Sequence, residues 1–277
     1  MNARIELPLG IVHDMPNETY HASPGVSNSG LGDFAQSPLH YFALHLDPSR
    51  PPVEETPAQL VGNLAHCAIL EPDKFAARYV VGPDCRRGTK EWNSFADAHP
   101  GATAIKPDQH AIAQAQARSV RSQPDVAKLL AVGHSEVSAF WIDQATRELC
   151  HCRPDWVHPV GERGVILVDV KTCGNASPRE FARQVGRMGY HRQAAFYSDG
   201  YEVASGQRAL GFVFVAVETA WPYAAAAVML DDESLSKGRA EITEMLPRFA
   251  ECSSADRWPG YSESIELISL PAWALAA

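Results

Sequence analysis

Gly164-Val165-Ile166-Leu167-Val168-Asp169-Val170-Lys171-Thr172 decides how this chain is read. It is a nearly continuous apolar run of β-branched and aliphatic residues, the pattern of a central strand buried on both faces. Two charges interrupt its end. Asp169 and Lys171 lie two residues apart, so on a strand both side chains project from one face. Charges are rarely buried without a partner or a metal, so their position asks for an explanation.

Upstream, Ser135 to Asp143 alternates and is rich in β-formers, and Leu149 to His158 follows after a turn around Asp143 to Arg147. The pattern predicts three meandering strands, the third being the run above. Downstream, Pro178 to about Ser198 carries Phe181, Val185, Met188, Ala195 and Phe196 at roughly helical spacing, predicting one long helix. Ala209 to Glu218 reads as another buried strand, Pro222 to Leu230 as a further strand, and Asp232 to Ala250 as a helix with an acidic start. The N-terminal half is helical in pattern. Ala58 to Leu70 forms a helix stopped at Glu71-Pro72, Asp73 to Ala77 a further turn, and Lys106-Pro107 opens a helix to about Ser122, with a second beginning at Pro124. Pro48 to Pro57 is an exposed loop, and Val80 to Gly101 a long loop with a short helix. The predicted fold class is mixed α/β: a central mixed sheet flanked by helices in one domain over 1–277. Its parts are a helical portion to about 132, a sheet core over about 133–250 and a tail from 251.

The bulk numbers narrow the function classes. Hydrophobic residues make up 45% and charged residues 21%, as in a soluble globular protein rather than a disordered one. The apolar runs are too short to cross a bilayer. Met1 to Gly10 lacks a basic region followed by an apolar one, so a cytoplasmic protein without a signal peptide is expected. Cysteines 67, 85, 150, 152, 173 and 252 include no C-x-x-C pair, and in a chain without a signal peptide buried reduced thiols are expected. The net charge of −9 excludes a protein that coats nucleic acid with its whole surface. It leaves room for a nuclease, whose carboxylate cluster carries negative charge that bound metal balances.

Asp155, in Arg153-Pro154-Asp155, precedes Asp169 by a hairpin's length. Two carboxylates and an ammonium at a strand end suit hard divalent cations such as Mg2+, with Mn2+ as a substitute. Such a site can activate water and neutralise a phosphate, with Lys171 orienting the nucleophile. The competing readings are a turn or cap role for Asp155 and a buried Asp169–Lys171 salt bridge. Glu136 is a further candidate carboxylate, or a solvent-facing strand residue. His66 sits inside an apolar helix, as a core histidine or a ligand. Gln193 and Tyr197 are four apart, on one helix face.

Together these residues resemble the PD-(D/E)XK nuclease superfamily. Further segments resemble one branch of it, the exodeoxyribonuclease VIII (RecE-type) nuclease domain. They are Tyr20-His21, Gly25-Val26-Ser27, Gly62 to Pro72, Cys150 to Asp155, Val168 to Thr172, Tyr190 to Tyr201 and Ile268 to Trp273. The resemblance implies a restriction-endonuclease-like core. It implies 5′ to 3′ degradation of linear double-stranded DNA from its ends, leaving 3′ single strands for recombination. It also implies a single-strand annealing protein as partner and a ring-shaped homo-oligomer. Asp155, Asp169, the Val170 carbonyl and Glu136 would ligate Mg2+, with His66 near the metals as a further ligand. Lys171 would position the nucleophile and Gln193 would support the site. Larger members of the branch carry an N-terminal extension, and by the resemblance this sequence opens at the nuclease domain. The cysteine spacing of the iron–sulfur relatives is not offered here, so no cluster is expected. For DNA contact the candidates are Arg86, Arg87 and Lys90 in the loop and Arg183, Arg187, Arg192 and Tyr197 on the long helix. Alternatives to the exonuclease are a structure- or sequence-specific endonuclease with the same core, and a non-catalytic DNA-binding scaffold.

Overall fold

The structure is a computed structural model that describes residues 9–52 and 55–275. The segment Met1 to Gly10 read for a leader therefore falls almost wholly outside the described residues, as do two positions of the loop before Pro57.

Short elements come first: β1 (Gly10–Val12), α1 (Asn17–His21), α2 (Asn28–Gln36) and α3 (Pro38–Tyr41). Then follow α4 (Pro57–Leu70), α5 (Pro72–Arg78), β2 (Tyr79–Val81), α6 (Lys90–Asp97), β3 (Thr103–Ile105), α7 (Pro107–Arg121) and α8 (Pro124–Ala131). The sheet region holds β4 (His134–Ser135), β5 (Ser138–Ile142), β6 (Leu149–Cys152), β7 (Trp156–Pro159) and β8 (Val165–Cys173). It closes with α9 (Pro178–Met188), α10 (Tyr190–Ser205), β9 (Ala209–Glu218), β10 (Ala225–Met229), α11 (Asp232–Ala255) and α12 (Ala272–Leu275).

The main sheet has five strands in the order β10-β9-β8-β7-β4, with β8 and β9 parallel and the other neighbours antiparallel. A second sheet pairs β1, β5 and β6. Alternation along the central strands splits the core in two. Leu167, Phe212, Phe214 and Ala216 pack on the side of α2, α9, α10 and α11. Val168, Val170, Val213, Val215 and Val217 pack on the side of α4 and α7. Asp169 and Lys171 share parity with Leu167, so their face is the α10 face, as period two requires.

Helix α4 starts where its sequence says it should. Thr56 caps it reciprocally: the Gln59 amide donates to the Thr56 hydroxyl (3.2 Å), and the Thr56 amide donates to the Gln59 side chain (2.8 Å), with Pro57 at the first helical position.

The structure departs from the sequence expectations in five places. The predicted strand Ser135–Asp143 is two strands, β4 and β5, in different sheets. The predicted strand Leu149–His158 divides in the same way into β6 and β7. The single long helix predicted from Pro178 is α9 and α10, broken at Gly189, whose φ of +68° closes α9 in the left-handed conformation open to glycine. The loop Val80–Gly101 contains its expected short helix, α6, but is also edged by a parallel pair, β2 with β3. Helix α11 also runs five residues past the expected Ala250, to Ala255.

All six cysteines are free, and Cys67, Cys150, Cys152 and Cys173 are buried. Among the described residues, no helix is long and apolar enough to cross a membrane. Where α11 crosses α10, a Cβ on Gly238 would stand 2.4 Å from the His191 carbonyl oxygen, a backbone atom that cannot turn aside. Gly238→Ala is therefore expected to cost about 1–3 kcal/mol as overpacking. Thermal melting checks this; a midpoint equal to that of the native chain would mean that the two helices separate freely.

Candidate active site

Two chain crossings build the site. The chain leaves the five-stranded sheet after β4 and enters the second sheet at β5, turning at Glu136, which holds φ +51°. It returns from β6 to β7 through Arg153-Pro154-Asp155. The crossings meet: the Glu136 amide donates to the Asp155 carbonyl at 2.9 Å. A left-handed glutamate is uncommon and costs on the order of 1 kcal/mol or more, a kind of strain that concentrates at functional sites. Here it carries Glu136 to the Asp155 corner. Pairing of Trp156 with Val168 across β7 and β8 sets Asp155 beside Asp169. The Val170 amide donates to Asp155 Oδ2 at 2.7 Å and fixes that carboxylate.

Asp169 is 2% exposed. Its Oδ1 accepts from Gln193 Nε2 of α10 at 2.5 Å. Lys171 Nζ lies 2.6 Å from Oδ2 and closes a buried ion pair with it. A carboxylate this buried is costly without a cation beside it, and Lys171 supplies one. Burial pulls the Lys171 ammonium down, but the carboxylates of Asp169 and Asp155 outweigh it, so its pKa ends above the ordinary lysine value. The ammonium also faces the Tyr190 ring, 4.7 Å from its centre.

His66 arrives from α4 on the other side of the sheet. Its Nε2 lies 2.7 Å from the Val170 carbonyl oxygen, and its Nδ1 lies 3.4 Å from Asp155 Oδ2. Burial holds its pKa below the usual histidine value. The neutral ring then donates from Nε2 to the carbonyl, which leaves the Nδ1 lone pair facing a carboxylate. Ligand atoms of His66, Glu136 and Asp155 all lie within 4.8 Å of one another. Burial, then the neighbouring Asp155, pushes Glu136 up to about 7. Burial, then Asp169, holds Asp155 well above the carboxylate range. Clustered acids with raised pKa values beside an imidazole lone pair suit a divalent cation. The donor set therefore fits one.

These groups open on a cleft of about 900 Å3. Asn17, Tyr20 and His21 stand on one wall; Asn63, Glu71, Lys74 and Arg78 stand on the other. Arg153 ties the first wall to the site. It is 7% exposed and donates to Ser138 Oγ (2.9 Å), the Met15 carbonyl (2.7 Å) and Asn17 Oδ1 (3.3 Å). Its guanidinium lies over the Tyr20 ring, 4.3 Å from the centre, and 4.0 Å from Glu136.

Of the residues singled out in the sequence, His66, Glu136, Asp155, Asp169, Val170, Lys171 and Gln193 converge here, and Tyr197 lines the cleft. Arg86, Arg87 and Lys90 are exposed at and before the start of α6, and Arg183 and Arg187 are exposed on α9; none of the five lines the cleft. Arg192 does not belong with them. Its side chain is 12% exposed, bonded to Asn28 Oδ1 (3.2 Å) and 3.7 Å from Glu241 of α11, so it clamps helices together. Sequence reasoning missed Glu71, Lys74, Arg78 and Arg153. A signal existed for the first three: positions 71, 74 and 78 follow helical spacing just after the His66 helix.

A family model described as a PDDEXK-like domain of unknown function matches residues 27–271. No curated protein matches the chain. Among solved structures, it is similar to the "Putative exonuclease" of Eubacterium rectale, with a TM-score of 0.64 and 14% identity over 96% of this chain and 99% of that one. An alkaline exonuclease from Laribacter hongkongensis is 15% identical, over 67% of this chain and 97% of that one, but its TM-score of 0.28 is too low to carry weight. The first likeness shows a shared fold, and the family match covers His66, Glu136, Asp155, Asp169, Lys171 and the five-stranded sheet, but not the cleft wall before residue 27. The chain belongs to the family of PDDEXK-like domains of unknown function.

Proposed function

We propose that the chain is a Mg2+-dependent exodeoxyribonuclease that digests linear double-stranded DNA 5′ to 3′, leaving 3′ single strands for an annealing protein. One observation carries the hydrolytic part: His66, Glu136 and Asp155 converge within 4.8 Å, beside the buried Asp169 and the Lys171 ammonium paired with it. End-dependence, polarity, the annealing partner and a ring-shaped homo-oligomer rest on the RecE-type resemblance. The name of the Eubacterium rectale protein agrees with an exonuclease.

Asp155, Asp169, Glu136, the Val170 carbonyl and His66 are the residues that would hold the cation. When bound, it supplies a water of lowered pKa and charge neutralisation at the phosphate. The chain's own residues do the rest. Gln193 and the Val170 amide lock the two aspartates in place. Lys171, held charged by those aspartates, orients the attacking water and offsets negative charge on the phosphate. Arg153 keeps the Met15–Tyr20 segment against the cleft. Outside the cleft, Arg86, Arg87, Lys90, Arg183 and Arg187 are exposed cations that would hold flanking duplex.

The test is digestion of a linear duplex labelled at either 5′ or 3′ end, with and without Mg2+, beside a closed circle and an Asp169→Ala protein. The expected result is Mg2+-dependent loss of the 5′ label from linear DNA only, absent in the variant. Cutting of the circle would replace the exonuclease with an endonuclease. No cleavage of any DNA would leave a binding or scaffold role.

A further inference from the structure

The cation site occupies one part of the cleft. The wall beside it carries an arrangement that cation binding does not require. Glu71 follows α4 directly, and its carboxylate is only 5% exposed. Three donors converge on it. Lys74 Nζ lies 2.6 Å from Oε1, Ser135 Oγ donates to the same oxygen at 3.1 Å, and Arg78 Nη1 lies 2.5 Å from Oε2. One buried carboxylate needs one cation. Here two meet it, so the trio carries a surplus positive charge.

That charge faces the cleft. Lys74 and Arg78 line it, and their side chains remain 52% and 46% exposed. Each uses part of its donor set on Glu71; an ammonium has three N–H groups and a guanidinium five. The remaining donors are free to meet an anion. The other titratable groups along the cleft are Asp14, Glu18, His21, Tyr20, Tyr79, Cys67 and Tyr197, with His66, the buried Arg153 and the acids of the cation site. Exposed positive charge is therefore concentrated at Lys74 and Arg78. The trio is also tied to the cation site, because Ser135, which bonds Glu71, immediately precedes Glu136.

We propose that Lys74 and Arg78, held by Glu71, form a seat for a backbone phosphate of the strand being cut, and so position that strand over the cation site. The inference rests on the nuclease reading above. Arg78 offers a planar fork for two phosphate oxygens and Lys74 a point charge beside it.

The test uses the full chain with Mg2+ and linear duplex DNA. It compares the native protein with Lys74→Gln and Arg78→Gln, and with the charge-keeping Lys74→Arg and Arg78→Lys. Each single glutamine variant leaves one cation on Glu71, so the buried carboxylate stays paired and the fold is kept, which melting verifies. Each glutamine variant is expected to raise KM about tenfold, the scale of one lost charged contact. It should also shrink the slope of log KM against log salt by roughly one. The kcat and the Mg2+ concentration for half-maximal rate should stay near native, and the charge-keeping variants should recover most of the loss. An unchanged KM and salt slope would overturn the seat. So would a shifted Mg2+ requirement with a fall in kcat, since that marks a structural prop for the cation site. A native protein that leaves linear duplex intact would fail earlier, at the nuclease reading, and the seat would fall with it.

Discussion

An Asp155→Asn protein is expected to lose DNA cleavage by on the order of a thousandfold, and yet to melt higher than the native chain when no divalent cation is present. The first effect follows from position. Asp155 shares its corner with Glu136, His66 and Asp169, and it presents a fixed oxygen to the space between them. Loss of one group that stabilises charge in an active site registers at this scale. The second effect follows from the same geometry. Burial and the neighbouring Asp169 hold Asp155 well above the ordinary carboxylate range, so without a cation its negative charge is unfavourable in the folded protein. Asparagine has the same shape, and its oxygen still accepts from the Val170 amide, the one hydrogen bond the carboxylate makes among the described residues. The substitution removes repulsion and keeps the Val170 amide paired. The expected gain is about 1 kcal/mol, or roughly 2–4 °C for a domain of this size. Melting in a chelator and digestion of duplex DNA in Mg2+ measure both. A lower melting point would mean that Asp155 props the fold, and retained cleavage would remove it from the ligand set. Function held at the expense of stability is what a built cation site predicts.

The residues that carry this site differ in how plainly the sequence announced them. Asp169 and Lys171 were legible because a strand has a period of two and their surroundings are Val, Ile and Leu; two charges in such a run stand out. The five-stranded sheet was legible in part for the same reason, since β8 and β9 are apolar on both faces. His66 was legible as the one ionisable group inside an apolar helix. The corner that joins these residues was not. Ser135 to Asp143 keeps one alternation through a turn, because β4 and β5 obey the same period in different sheets. Nothing in a glutamate signals a left-handed backbone; glycine or asparagine would have. Gly189 did signal a break, yet a lone glycine inside a helical pattern is also tolerated, and only its φ of +68° separates α9 from α10. Arg192 looked like its neighbours in sequence, but its partner Glu241 lies in α11, beyond the reach of local pattern. Glu71, Lys74 and Arg78 were passed over because Glu71-Pro72 reads first as the end of a helix. Local periodicity thus exposes side chains that share a strand or helix face. It hides contacts made between elements, and those are the contacts that turn separate carboxylates into one site.

Divalent cation should stabilise the protein more at pH 8 than at pH 5, and the metal-free protein should show the opposite trend alone. The sign follows from Glu136, which burial and Asp155 push up to about 7 from an ordinary value of 4.5. A carboxylate whose folded pKa lies above its unfolded one binds more protons when folded. Its contribution to stability is fully present below the unfolded value and is lost as pH rises through about 7. Asp155, raised in the same direction, adds to the loss. The metal-free chain should therefore lose stability from pH 5 to pH 8. Cation binding needs these groups deprotonated, so protons and cation compete for the site and binding tightens over the same interval. A cation that binds only the folded state then raises the melting point by an amount that grows with pH. Melting curves at pH 5, 6.5 and 8, with a chelator and with excess Mg2+ or Mn2+, measure both slopes. A Glu136→Gln protein supplies the control: its metal-free melting point should depend less on pH. Parallel curves with and without cation would mean that none binds at this corner. An unaltered slope in Glu136→Gln would assign the pH dependence to other groups. Opposed slopes would instead show that the strain at Glu136 and the crowding of Asp155 are sustained by the ion they are arranged to hold.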